Sequence, residues 1–181
     1  MRTFADIWRI TDSIYGAFSQ NESQILYTYA NSCLNNSVYV EIGSYCGRSS
    51  SILGMLAKDK DCELYCIDSF ITGAPNVEDV ESVFHSNMQR SDTTYNLIKD
   101  RSDNAASTFT KDIDFLFIDG DHQYSGVKSD CDLWISKVKQ NAFILFHDYN
   151  SSWEGVKRAI DERTELKQIG VFDSLIVTQK I

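Results

Sequence analysis

Short apolar runs alternate along the chain with segments whose apolar residues recur at helical spacing. The runs are rich in Val, Ile, Tyr and Phe, which favour strands. They are VYVEI at 38–42, LYCI at 64–67, YNLIK at 95–99, IDFLFI at 113–118, AFILF at 142–146, LKQIGVF and SLIVTQKI. Helical spacing is clearest at Val127, Cys131, Trp134, Ile135 and Val138. The alternation predicts an α/β fold with a mostly parallel sheet and helices on both faces.

The last two predicted strands differ from the others in their connection. Only Asp173 and its neighbours separate LKQIGVF from SLIVTQKI, which is too short for a crossover helix. We therefore expect a seven-stranded sheet whose last strand is antiparallel. In the turn before the fifth strand, KQNAF, Asn141 can adopt a left-handed conformation.

The residues before the first strand predict a helix. ESQILYTYANSCL offers Asn21 as its N-cap. One helical face carries Ile25, Leu26, Tyr29, Ala30 and Cys33. Because no linker or repeat interrupts the chain, we expect one domain over residues 1–181, with 1–36 as an N-terminal helical segment.

Two regions are candidates for covering a site. The first 20 residues, which include Ile14, Tyr15 and Phe18, are candidates for a lid over a site. The same aromatic content also fits a homodimer contact or ordinary core packing. The loop from Ser69 to about Glu81, which contains Gly73 and Pro75, is expected to be mobile.

Composition and charge narrow the function classes. A hydrophobic content of 43% with 24% charged residues and 1 Pro is typical of a folded globular protein. The net charge of -9 would repel a phosphate backbone or an anionic membrane, which argues against nucleic acid and membranes as partners. An acidic chain remains compatible with a divalent metal or a positively charged cofactor.

Cysteine usage and the N-terminus point to a cytoplasmic protein. The five cysteines are odd in number and none has C-x-x-C spacing, so we expect reduced, mostly buried thiols. MRTFADIWRITD mixes charges with apolar residues where a secretory signal needs a continuous apolar segment. No run approaches the roughly 20 apolar residues of a membrane helix.

The end of the first predicted strand carries a glycine turn. VYVEIGSYCGRSS has Glu41 in the strand, then Gly43 and Gly47, then a serine-rich helix start. Glycines allow tight turning and close approach of the backbone to a ligand, although they also serve strand and helix packing alone. The spacing matches neither G-x-G-x-x-G nor a P-loop, and an acid there would repel a pyrophosphate.

The next two strand ends suggest a nucleoside. Asp68 follows Gly43 by about 25 residues, a spacing at which an acid can bind both ribose hydroxyls. After the third strand, Ser102 and Asp103, with Arg101 and Asn104 beside them, could contact an adenine edge. A helix N-cap at Ser102 or Asp103 is an equally good interpretation.

The fourth and fifth strand ends suggest a metal and a base. FIDGDH places Asp119 directly after a buried strand, and FHDYN places Asp148 after the neighbouring one. Two carboxylates in one crevice are natural ligands for Mg²⁺. His122 has a side chain suited to taking a proton near neutral pH. His147 could instead hydrogen-bond the sheet end, and Asp121 is expected to be a solvated turn residue.

Together these motifs resemble the class I S-adenosylmethionine-dependent methyltransferases, specifically small-molecule O-methyltransferases similar to macrocin O-methyltransferase and the cephalosporin-hydroxylase-like proteins. The resemblance covers about residues 21–180 and is most specific at FIDGDH and FHDY. It implies a Rossmann-like fold. The cofactor's methionine part would be lined by Glu41, Gly43, Ser44 and Gly47. Its ribose would bind Asp68, its adenine would contact Ser102 and Asp103, and Asp119 would also contact the cofactor. Asp119 and Asp148 would hold Mg²⁺ with His147 as a third ligand, and His122 would be the base.

The resemblance implies metal-assisted methylation of a hydroxyl on a small molecule such as a sugar or a polyketide-like product. Two alternatives stay open. A cofactor-binding partner subunit without catalysis would share the same motifs. A nicotinamide-dependent oxidoreductase on a related fold is disfavoured by the missing G-x-G-x-x-G.

Overall fold

The computed structural model describes residues 1–71 and 79–181. The helices in this part of the chain are α1 (Phe4–Thr11), α2 (Gln20–Ser32), α3 (Arg48–Asp59), α4 (Val80–Arg90), α5 (Ser102–Thr108), α6 (Tyr124–Trp134) and α7 (Glu154–Asp161), with a 3₁₀ turn at Ile135–Lys137. The strands are β1 (Val38–Ile42), β2 (Glu63–Ile67), β3 (Asn96–Ile98), β4 (Ile113–Ile118), β5 (Val138–Phe146), β6 (Leu166–Phe172) and β7 (Leu175–Lys180).

The described strands form one seven-stranded sheet in the order β3-β2-β1-β4-β5-β7-β6. Neighbouring strands from β3 to β5 pair in parallel, whereas β7 is antiparallel to both β5 and β6. The α/β class and the antiparallel last strand are therefore confirmed. The β6–β7 turn reverses the chain within a few residues because Asp173 takes a left-handed conformation, with φ 54°.

Helices cover both faces of the sheet. One apolar core lies under α1 to α4 and includes Tyr39, Phe115 and Phe117. The other lies under α5 to α7 and includes Val40 and Leu116. Successive residues of β1 and β4 thus enter opposite cores, because side chains alternate across a strand. Apolar side chains on both sides explain why these central strands read as unbroken apolar runs.

Three local expectations can be compared with the structure. Asn141 is left-handed, with φ 65°, as expected, but it lies within β5, which begins at Val138. The register shift between Ile113 and Phe115 in the β4–β5 pairing accommodates this irregularity. The N-cap of α2 is Ser19, not Asn21, because Ser19 and Glu22 form a reciprocal capping box.

The N-terminal segment packs on the rest of the chain. Ile14 and Phe18 are buried, whereas Tyr15 is 52% exposed. Most of the loop predicted to be mobile, residues 72–78, lies outside the described residues. Each of the five cysteines is a free thiol, as expected.

Within residues 1–71 and 79–181, every helix is too short or too polar to cross a lipid bilayer.

Candidate active site

A cavity of about 710 Å³ lies at the carboxyl ends of the parallel strands. This is where open α/β sheets bind their ligands. The predicted site residues that line it are Gly43, Ser44, Asp68, Ser102, Asp103, Asp119, His122, His147 and Asp148. The sheet therefore brings together groups that lie up to 105 positions apart in sequence, from Gly43 to Asp148. Glu41 and Gly47 lie outside this lining.

The floor of the cavity depends on a close approach between β1 and β4. The Asp119 amide donates to the Ile42 carbonyl at 2.8 Å. A Cβ added to Gly43 would lie 2.1 Å from the Asp119 carbonyl oxygen, and Gly43 has φ +86°. Only glycine meets both conditions without strain. Gly47, also at φ +86°, is the N-cap of α3, and a Cβ added to it would lie 3.1 Å from the Phe84 ring, which is a packing role.

Glu41 lies behind the glycine turn and does not face the cavity. Its Oε2 accepts hydrogen bonds from the hydroxyls of Ser44, at 2.7 Å, and Ser50. Burial raises the pKa of Glu41 to about 7. The resemblance implied that this acid contacts the cofactor. In the structure, the serine hydroxyls of the turn and of α3 hold its carboxyl on the inner side of the turn. Among the described residues Oε1 has no hydrogen-bond partner.

Asp68 organises the same turn from the end of β2. Its Oδ2 accepts from the amides of Ser44 at 2.8 Å and Tyr45 at 2.7 Å. Its Oδ1 accepts from the Phe70 amide at 2.7 Å. The carboxylate therefore holds the backbone of the cavity wall while it lines the cavity itself.

Ser102 and Asp103 differ in their surroundings. The N-cap of α5 is Arg101, so neither of them has the capping role that the sequence left open. Ser102 Oγ donates to Asp130 Oδ1 at 2.5 Å and accepts from the Trp134 indole at 2.7 Å. Asp103 pairs with the Arg101 guanidinium at 3.2 Å on the exposed rim.

The fourth and fifth strand ends bring an acid–histidine cluster together. Because Ile118 pairs with Phe146 at the ends of β4 and β5, the acids that follow them converge. Asp119, His122 and Asp148 each offer a ligand atom, and these atoms lie within 4.8 Å of one another. Asp148 has a left-handed backbone, with φ 58°, which costs about 1–2 kcal/mol for a residue with a side chain.

Hydrogen bonding sets the charge states in this cluster. His122 Nε2 lies 2.7 Å from Asp148 Oδ2, and this bond raises the pKa of His122. Although burial opposes its charge, hydrogen bonds from His122 and His147 lower the pKa of Asp148. Burial raises the pKa of Asp119. The acid–histidine cluster is therefore anchored by one strongly ionised carboxylate.

His147 lies beside the acid–histidine cluster and acts as a buried cation. Its Nδ1 is 3.2 Å from Asp119 Oδ1, and its Nε2 is 3.5 Å from Glu22 Oε1. Burial disfavours the imidazolium, but hydrogen bonds to Asp119, Asp148 and Glu22 raise the pKa of His147 to about 12. The ligand atoms that lie within 4.8 Å of one another belong to Asp119, His122 and Asp148, and a metal-ligand role for His147 stays a prediction.

Glu22 of α2 is a site residue that sequence reasoning missed. Its Oε1 accepts from the Ser174 amide at 2.9 Å and hydroxyl at 2.6 Å, and its Oε2 accepts from the Ser19 amide at 2.8 Å. Burial opposes ionisation, yet these bonds and His147 lower the pKa of Glu22 to about 2. The sequence signal that could have singled out Glu22 is the S-x-x-E pattern at 19–22, which is typical of a capping box.

Aromatic side chains form the rest of the wall near the acid–histidine cluster. The Trp153 ring stacks on His122 with centroids 4.5 Å apart. Phe18 packs edge-on against His147 at 5.1 Å, and Tyr15 lies 6.1 Å from Tyr45. Tyr15 and Phe18 line the cavity, so the N-terminal segment contributes to it; a lid movement stays a prediction.

The acid–histidine cluster has the donor chemistry of a divalent-cation site. Asp119 and Asp148 supply hard carboxylate oxygens, and His122 supplies a nitrogen. If a divalent ion were bound, Asp119 and Asp148 would hold it, and the His122 nitrogen would lie within reach of the ion. His147, paired with Glu22 on the far side, would support the acids from behind.

The chain belongs to a methyltransferase family. The family model described as "Methyltransferase domain" matches residues 40–149, which are 110 of the 181 residues. This range begins in β1 and ends just after Asp148, so it contains the glycine turn, Asp68 and the acid–histidine cluster.

The chain is also similar to a viral protein in sequence and to solved structures in fold. R132, an uncharacterised protein of Acanthamoeba polyphaga mimivirus, is 31% identical over 146 residues, which cover 77% of this chain and 64% of R132. The cofactor-bound structure of Rv0187 from MTB has a TM-score of 0.75 at 15% identity, covering 97% of this chain and 88% of that one. The O-methyltransferase TomG from Streptomyces achromogenes, in complex with SAM, has a TM-score of 0.69 at 14% identity, covering 98% and 87%. At these identities the two solved structures show a shared fold.

The Glu22–His147 pair predicts a pH-dependent contribution to stability. The pKa of Glu22 is lowered, so its stabilisation is fully present above about 4.5 and is lost as pH falls towards about 2. We expect Glu22→Gln to lower the free energy of unfolding by about 3 kcal/mol at pH 7. Urea denaturation from pH 7 to pH 3 should show the deficit shrinking with acid. Glu154→Gln, at an exposed position, is the control and should match the wild type throughout; a pH-independent deficit in Glu22→Gln would contradict the pairing.

Proposed function

We propose that this protein is an S-adenosylmethionine-dependent O-methyltransferase acting on a small hydroxylated molecule. The observation that carries the proposal is a single cavity that joins the glycine turn and Asp68 to the acid–histidine cluster. The family membership and the SAM complex of TomG support the choice of cofactor. S-adenosylmethionine supplies a methyl group already activated as an electrophile on sulfur. The protein then has to align a hydroxyl and remove its proton.

His122 is the residue placed to remove that proton. Its Nε2 donates to Asp148 at 2.7 Å, which leaves Nδ1 as the acceptor for the proton of the substrate hydroxyl. The Trp153 ring, stacked on the imidazole, limits its rotation. Asp148 stabilises the imidazolium that forms, as the raised pKa of His122 indicates. His122 Nδ1 would take the proton of the hydroxyl, and S-adenosylmethionine would supply the methyl group to the oxygen, leaving a methyl ether and S-adenosylhomocysteine.

Magnesium binding at Asp119 and Asp148 is part of the proposal. A bound Mg²⁺ supplies positive charge that stabilises a developing alkoxide. The two carboxylates converge from adjacent strand ends, and one is kept ionised by its hydrogen bonds. Asp119 belongs to the acid–histidine cluster and also adjoins the glycine turn, so it remains our candidate for contact with the cofactor.

The acceptor is expected to enter beside the aromatic wall. Phe18 and Trp153 line the cavity against His147 and His122, and Tyr15 lines it beside Tyr45 of the glycine turn. Aromatic faces of this kind pack against a ring or an apolar sugar face, while His122 remains accessible to a hydroxyl. The net charge of -9 disfavours an anionic polymer such as nucleic acid.

The cofactor assignment predicts selective binding. S-adenosylmethionine and S-adenosylhomocysteine should raise the melting temperature of the protein in a thermal-shift assay, because ligands that bind only the folded state stabilise it. NAD should leave it unchanged. Stabilisation by NAD alone would replace the methyltransferase proposal with the oxidoreductase alternative, and stabilisation by neither would remove the cofactor from the proposal.

The role of His122 predicts a loss of turnover without a loss of binding. With methyl-labelled S-adenosylmethionine and a panel of hydroxylated small molecules, His122→Gln should lower kcat by about 10²–10⁴-fold. Its Kd for S-adenosylhomocysteine should stay within about threefold of the wild type. Because the neutral imidazole is the active form and its pKa is raised, wild-type turnover should increase with pH through a value above 6.5. His85→Gln, at an exposed position of α4, is the control. Equal turnover in the two variants would exclude His122 as the base.

The metal proposal predicts a carboxylate-dependent Mg²⁺ affinity. In calorimetric titrations of metal-free protein with Mg²⁺, Asp119→Asn and Asp148→Asn should each weaken binding by about tenfold or more, since each removes a negative ligand. Asp132→Asn, at an exposed acid of α6, should bind as the wild type does. Equal Mg²⁺ affinity in all four proteins, or full turnover in EDTA, would remove the ion from the mechanism.

A further inference from the structure

His122 lies in a part of the chain that has no regular secondary structure. Residues 119–123 connect the end of β4 to the start of α6. The His122 side chain is 37% exposed, so the cavity wall does not enclose it. A base acts only within hydrogen-bond reach of the proton that it removes. The position of His122 therefore depends on what packs against this connection.

Helix α7 packs against the backbone of the connection at Gly155. A Cβ added to Gly155 would lie 2.7 Å from the Tyr124 amide nitrogen and 3.1 Å from the His122 carbonyl oxygen. Both distances are to backbone atoms, which cannot rotate away as the end of a flexible side chain could. The missing side chain of Gly155 therefore sets how closely α7 approaches the base.

The same turn of α7 carries the ring that stacks on the imidazole. Trp153 is the N-cap of α7, and its carbonyl accepts from the Val156 amide at 3.0 Å. Its ring lies 4.5 Å from the His122 ring, with an angle of 25° between the two planes. Val156 is buried in the core. Because Trp153 and Gly155 belong to one rigid turn, a shift of α7 at Gly155 would move the Trp153 ring off the imidazole.

A second contact joins α7 to the start of α6. The Arg158 guanidinium lies 4.4 Å from the centroid of the Tyr124 ring. The Tyr124 hydroxyl donates to Glu162 Oε2 at 2.7 Å. Helix α7 thus contacts residues 122–124 through the imidazole, the backbone and the tyrosine ring. The helix fixes the segment that carries the base along its whole length.

Resting on the role proposed for His122, we propose that Gly155 is a positioning residue for the base. By admitting α7 into contact with the backbone of residues 122–124, it keeps Trp153 stacked on the imidazole. One hydrogen bond from Nε2 to Asp148 leaves the ring free to tilt, and the stacked indole removes that freedom. A displacement of about 1 Å at a reacting group can cost about 10²-fold in rate.

A double-mutant cycle separates positioning from general stability. Turnover is measured with methyl-labelled S-adenosylmethionine and a panel of hydroxylated small molecules. Gly155→Ala should lower kcat by about tenfold or more, while its Kd for S-adenosylhomocysteine stays within about threefold of the wild type. In the His122→Gln background the same substitution should change kcat by less than about twofold, because the residue that it positions is already gone.

Gly170→Ala on β6 is the matched control. An added Cβ there would meet the Phe172 ring at 3.1 Å, which is a side chain that can move. This variant should turn over as the wild type does. It shows that replacing a glycine by alanine is not in itself the cause of a loss.

The contact can also be measured without any acceptor. In the wild type, nuclear Overhauser cross-peaks should join the Trp153 indole protons to the His122 imidazole protons, since the rings are stacked. These cross-peaks should weaken or vanish in Gly155→Ala and persist in Gly170→Ala.

A second pair of variants tests the same device if Gly155→Ala does not fold. Trp153 is 38% exposed, so its replacement leaves the core intact. Trp153→Ala should lower kcat by about as much as Gly155→Ala, and Trp153→Phe, which keeps a ring on the imidazole, should restore most of it.

Three results would overturn the inference. They are unchanged cross-peaks and kcat in Gly155→Ala, an equal loss of kcat with and without His122, and wild-type kcat in Trp153→Ala. In each case a low kcat in His122→Gln still supports the proposed function. If His122→Gln turns over as fast as the wild type, the base and its positioning residue fail together.

Discussion

The close approach of β1 and β4 at their carboxyl ends is the constraint on which the cavity depends. The Asp119 amide bonds the Ile42 carbonyl at 2.8 Å, and a side chain on Gly43 would collide with the Asp119 carbonyl at 2.1 Å. This contact places the start of the glycine turn directly beside the first acid of the acid–histidine cluster. The proposed cofactor site and the proposed base therefore line one cavity.

Charge compensation across elements allows so many ionisable groups to be buried together. Glu22 from α2 pairs with His147, which in turn pairs with Asp119, and Asp148 pairs with His122. Removing one member would leave its partner charged and desolvated, which costs about 3–5 kcal/mol for a buried pair. Helix α2 is thus tied to the site by an ion pair as well as by apolar packing.

The two ends of the cavity use acids in different ways. At the β4–β5 end, Asp148 is kept strongly ionised by two histidines, which suits a cation or a proton-accepting imidazole. At the β3 side, Asp130 has a single neutral donor, Ser102, and burial raises its pKa.

The sequence alone predicted most of each strand, the antiparallel end of the sheet and the groups at the strand ends, because apolar runs and the turn residues after them are local signals. It could not place Glu22 beside His147, which lie 125 positions apart, or show that Glu41 points away from the cavity. Those facts depend on which side chains meet after the sheet forms and on how much water remains around them. Charge state and ligand access follow from that packing, so only the tertiary structure decided them.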